Sequence, residues 1–157
     1  MDSSSETLDS ELLRRHRSAA TIVFSLLALT VVLVAIAFAA RSRFIYKPDP
    51  RAGVLWIAIL VLGLGALVFR RTKFAAMRLQ DIAAVRGTSA LLKSLQGTTI
   101  QVAAMGGAIA VIGFAITILD GNEFDMLRAG GVAAIVLIYS YPMRSAWQRV
   151  VTRLARD

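Results

Sequence analysis

The chain has no cysteine, which removes disulfides, thiolate nucleophiles and thiolate metal sites from consideration. It has one histidine, His16, and a single imidazole cannot build a metal site on its own. Proline occurs only at positions 48, 50 and 142, so long stretches are free to be helical. The most informative absence is charge. Between Ser18 and Ala40, Gly53 and Phe69, and Ile100 and Leu119 there is no Asp, Glu, Lys, Arg or His. Ionisable groups inside a bilayer are expensive and mark ion pathways and proton relays. Three long windows without one argue against ion-coupled transport, intramembrane proteolysis and carboxylate-based quinone chemistry.

What is present is apolar. Of 157 residues 57% are hydrophobic, and the mean hydropathy is +0.65. A soluble domain carries about 45–50% apolar residues. The window 18–40 is 23 residues, or ~35 Å of helix, enough for a hydrocarbon layer of ~30 Å. A cleavable signal peptide competes, because Ala37-Phe38-Ala39 resembles a cleavage site. The length of the window and the acid-containing leader before it favour a retained anchor. Windows 53–69 and 100–119 read as the second and third spans. The fourth is less regular: Ala129 to Tyr141 is uncharged but only 13 residues. Continued through Pro142 to Trp147 it becomes long enough, with Arg144 snorkelling to the surface and a kink at Pro142.

The expected fold is therefore an all-α integral membrane protein with four transmembrane helices in two hairpins. A mobile leader (1–17) precedes a membrane domain (18–147, spans about 18–40, 53–69, 100–119 and 129–147), and a basic tail (148–157) follows. Residues 70–99 read as a cytoplasmic helical hairpin between spans two and three. Arg86-Gly87-Thr88 has the character of a helix stop and restart, and Gly97 of a further interruption. Leader, central segment and tail, the last counted with Arg144, carry three, six and four Lys or Arg, thirteen in all, against five in the two remaining loops. By the positive-inside rule both termini are cytoplasmic, and the expected location is a bacterial inner (plasma) membrane. Arg14, Arg15, Arg17, Arg70, Arg71, Lys73, Arg144 and Arg149 are the expected contacts to lipid headgroups, and His16 reads as facing the same layer. The net charge of +8 clusters beside apolar runs and forms no aromatic-interleaved stripe, so nucleic acid is not an expected partner.

Small residues supply the remaining pattern. Ala103 and Gly107, Gly106 and Ala110, and Gly130 and Ala134 are pairs four apart, and Gly63-Leu64-Gly65 adds another smooth patch. Gly113 continues the series. Such spacing lets helix backbones approach closely in lipid. The run from Ala104 to Phe114 resembles the outer helix of rotary ATPase proteolipid subunits. In those a carboxylate stands among Ala and Gly ahead of an Ile-x-Gly-hydrophobic run. Here Gly107 holds the carboxylate's place, so the resemblance implies no proton transport. Asp120-Gly121-Asn122-Glu123-Phe124-Asp125 is too short for a calcium loop and has Phe124 at a ligand position, so it reads as an acidic turn. No cofactor, metal or catalytic residue is expected. The functional expectation is a non-catalytic accessory or scaffold subunit, packed against membrane lipids and against other membrane proteins or itself. A homo-oligomeric, holin-like pore lined by the third span is the alternative, and a transporter or membrane enzyme the least favoured.

Overall fold

Lipid offers no partner for a free amide, so an apolar run of this length must satisfy its backbone within itself. The computed structural model describes residues 2–43, 45–47, 49–73 and 76–142, with side-chain surroundings for 10–43, 45–47, 49–73 and 90–142. Among these residues every long element is an α-helix and there is no strand. The helices are α1 (Asp2–Ala39), α2 (Pro50–Lys73), α3 (Ala76–Asp120) and α4 (Glu123–Ser140). A 3-10 turn at Arg41–Arg43 follows α1.

Three of these helices are long and apolar enough to cross a membrane, over Ser10–Ala39, Pro50–Lys73 and Ala90–Asp120. The shortest, at 24 residues, measures ~36 Å against a core of ~30 Å. The fourth helix has 18 residues and carries Glu123, Asp125 and Arg128 in its first two turns.

The bundle is organised around α3, which packs against each of the other three helices. α3 and α4 form the expected hairpin. α1 and α2 do not: they make almost no contact with each other and lie against different parts of the α3–α4 pair. The cause is visible in the connection. The ten residues 40–49 are too many for a tight turn, and Ile45, Lys47 and Asp49 lie across the α3–α4 turn instead. The Lys47 amide donates to the Asp120 carbonyl at 3.0 Å, and the Asp49 amide donates to the Asp120 carboxylate at 2.8 Å. Gly121, at φ 68°, lies directly beneath the carbonyl of Ile45. A side chain there would meet both a strained backbone and the crossing strand.

Two local expectations give way. The stop at Arg86-Gly87-Thr88 and the interruption at Gly97 are absent, since α3 is one helix of 45 residues. A lone glycine costs only about 1 kcal/mol relative to alanine, and flanking Ala, Leu and Val carry the helix through. α2 ends at Lys73 and α3 begins at Ala76. The leader is helical from Asp2, and Leu12 is buried. α4 stops at Ser140, Tyr141 is extended at ψ 127°, and its amide donates to the Ile138 carbonyl. A residue before proline is driven out of the helical region, which accounts for that stop. The kink expected at Pro142 turns on residues outside those described. The rest of the expected fourth span, with Arg144 and Trp147, and the basic tail with Arg149 lie outside the described residues.

Candidate functional site

The interior is built from small residues. Ala37, Ala52, Ala66, Ala110, Ala129 and Ala133 interleave with Ile59, Val102, Ile109, Ile116, Met126 and Val136 in one buried cluster. Ala103 joins Val23 and Leu137 in a second. The glycines divide by what a Cβ would meet. On α3, a methyl at Gly106 would come within 2.9 Å of Leu137 on α4, and one at Gly107 within 2.9 Å of Leu26 on α1. At Gly113 it would overlap the Ala129 Cβ. On α4, Gly130 faces Val34 of α1 at 2.9 Å. Gly63 of α2 is buried with ordinary room toward Val132 and Ile109. Ala134 is partly covered, and Gly65 points away from the bundle with nothing near it. The small-residue surfaces of α3 and α4 are thus spent on contacts inside this chain.

Polar side chains within the helices are spent locally too. The hydroxyls of Thr30, Thr99, Thr117 and Ser140 donate to carbonyls three or four residues back, at 2.8–3.1 Å. Among the described residues no buried side-chain nitrogen or oxygen lacks a partner, and no cluster of His, Asp and Glu could hold a metal ion. The core therefore contains no line of polar groups passing from helix to helix.

Side-chain bonds between helices gather at the ends of the bundle. At one end Arg15 is held twice by Glu11, at 2.8 and 2.9 Å, and donates to Gln96 of α3 at 3.0 Å. His16 Nε2 donates to the carbonyl of Pro142 at 2.7 Å. That carbonyl follows the end of α4, so His16 belongs to a helix contact. On the same end Arg70 lies over the ring of Tyr139, 4.2 Å from its centre, tying α2 to α4. Lys73 sits over Phe69, 5.4 Å away, within its own helix. Of the expected headgroup contacts, Arg14, Arg17 and Arg71 are exposed, Arg15 and Arg70 are engaged with protein, and Arg144 and Arg149 lie outside the described residues.

The opposite end carries the acidic turn. Asn122 caps α4, its side-chain oxygen accepting from the Phe124 amide at 3.1 Å, and Phe124 packs edge-on against Phe38. Asp125 is buried, with Arg128 at 3.5 Å. Burial raises its carboxyl above the ordinary 3.8; Arg128 opposes that rise and Asp120 adds to it. In this turn Asn122 is the cap, Asp125 the clasp and Asp120 the strap anchor. Sequence patterning missed His16, Gln96, Tyr139 and Asp120 because each acts on a partner distant along the chain. Only Tyr139, a polar ring at the end of an apolar run, gave any signal. Comparison with family models, curated proteins and solved structures finds no match.

Proposed function

We propose that this protein is a non-catalytic accessory or scaffold subunit of a membrane complex, crossing the bilayer four times with both termini cytoplasmic. The observation that carries the reading is the asymmetry of α2. Only Ala52, Ile59, Gly63 and Ala66 of its residues are buried, one narrow stripe facing α3. Val54, Ile57, Leu60, Val61, Leu64 and Val68 are each about three-fifths exposed, beside the open positions Gly53 and Gly65. This apolar face is free for another membrane protein, whereas the small-residue faces of α3 and α4 are occupied. The burial of α3 at the centre of the bundle also counts against a pore lined by that helix. α4 makes the fourth crossing in this reading, and the cation-rich end of the bundle faces the cytoplasm.

Photo-crosslinking side chains placed at Leu60 and Leu64 in cells test the assignment. One discrete protein adduct is expected from these positions and none from the buried Ile59. Adducts with lipid alone at Leu60 and Leu64 would refute a docking role for α2. The pure protein in liposomes is expected to conduct no ions and to move no protons saturably, and conductance would favour the pore.

A further inference from the structure

The three arginines that precede the first apolar window are not equivalent. Arg15 turns inward and is neutralised by Glu11. Arg14 and Arg17 are exposed, and among the described residues neither forms an ion pair, the pairs there being Glu11 with Arg15 and Asp125 with Arg128. Both open onto a shallow groove of about 590 Å³ along one face of α1, lined by Leu13, Arg14, Arg17, Ser18, Thr21 and Ile22 among others. The spacing of 14, 17, 18 and 21 keeps these side chains on one helical face. Ser18 opens the charge-free window, so both guanidinium groups stand within about 6 Å, along the axis, of the start of the apolar span.

We propose that this groove binds one anionic glycerophospholipid. Guanidinium forks match phosphate oxygens, and two without a carboxylate partner leave an unbalanced charge for a phosphate diester to neutralise. The Ser18 hydroxyl adds a donor one turn further in. The Thr21 hydroxyl already donates to the Arg17 carbonyl at 2.9 Å, so toward a ligand it can only accept, as suits a hydroxyl-bearing headgroup. Ile22 continues the same face into the apolar layer, where an acyl chain would lie. The assignment needs only that α1 crosses the membrane, and it holds whichever side the amino terminus faces.

The test is native mass spectrometry of the full chain in detergent, titrated with phosphatidylglycerol or phosphatidylcholine. One phosphatidylglycerol is expected to be retained where phosphatidylcholine is not. The double variant Arg14→Gln/Arg17→Gln should weaken retention about tenfold or more, because it removes both charge-assisted contacts. Arg41→Gln/Arg43→Gln, which removes equal charge from the other end of α1, should leave it unchanged. Both target side chains are exposed, so melting is expected to stay as in the parent. If the double variant melts early, the single variants Arg14→Gln and Arg17→Gln supply the readout, each with several-fold loss. Equal retention of the two lipids, equal loss in the two double variants, or unchanged binding in both single variants would overturn the proposal. So would displacement by millimolar inorganic phosphate, which would make the site one for a free anion.

Discussion

Among the described glycines Gly113 of α3 leaves the least room toward another helix, at Ala129 of α4, and it gives the sharpest test of the packing. Replacing Gly113 with Ala places a methyl where the Ala129 Cβ already sits, and neither group can rotate out of the way. The helices must separate or tilt. Overpacking of this kind costs about 1–3 kcal/mol, while alanine regains about 0.5–1 kcal/mol of helix propensity over glycine. The net expectation is a loss of about 1–2 kcal/mol. Gly107→Ala meets only the mobile end of Leu26, so it should be nearly neutral. Gly65→Ala and Gly131→Ala meet nothing within 4 Å and should equal or exceed the parent. Reversible unfolding of the purified protein in mixed detergent micelles, followed by helical circular dichroism, reads this order directly. A double-mutant cycle closes the case. Ala129→Gly removes the methyl that Gly113→Ala collides with, so the pair should recover at least 1 kcal/mol, roughly, beyond additivity. If Gly113→Ala and Gly131→Ala behave alike, or Ala129→Gly gives no rescue, the α3–α4 contact is not as close as described.

Three further outcomes are expected. A cysteine at Asn122 should be labelled by a membrane-impermeant thiol reagent in intact cells and one at Gly87 should not; the reverse pattern would invert the topology. Tyr139→Leu and Arg70→Gln should each destabilise the bundle, and their cycle should show coupling of about 0.5–2 kcal/mol from the stacked guanidinium; additive effects would mean that the stack contributes nothing. The raised carboxyl of Asp125 sets a direction for pH. Its favourable contribution is complete below the unfolded value of 3.8 and is lost as pH rises through the raised folded value. Asp125→Asn removes that dependence, so its stability relative to the parent should increase with pH above about 4 and then level off. A difference independent of pH would refute this.

The helices that were plain from the amino-acid order are those that lipid energetics determines residue by residue. The charge-free windows at 18–40, 53–69 and 100–119 each fall inside a helix but for Ala40, because one ionisable side chain in any of them would be costly. Their ends were less readable. Gly87 and Gly97 look like breaks, yet a helix of 45 residues absorbs the modest propensity cost of each. The pairing of helices was not readable. Adjacent spans are natural partners, but the route of residues 40–49 depends on two amide bonds to Asp120, more than 70 positions away. His16 shows the same limit, since its partner carbonyl is 126 residues distant. The glycine pattern was informative about close approach and silent about direction, so Gly63 and Gly65, two residues apart, meet opposite surroundings.

The passage of residues 40–49 across the α3–α4 turn also has a consequence for biogenesis. The first two spans leave the ribosome with no surface for each other. Each therefore waits in the bilayer as a separate post, joined by a tether at one rim. α3 and α4 must then pack between the posts as a wedge, and their turn must arrive under the tether before Lys47 and Asp49 can close on Asp120. Nothing in the first half of the chain can rehearse the final arrangement. A chain halted after Lys73 would leave two inserted helices without a bundle, and cooperative resistance to unfolding would first appear once Asp120 has been delivered to the far rim.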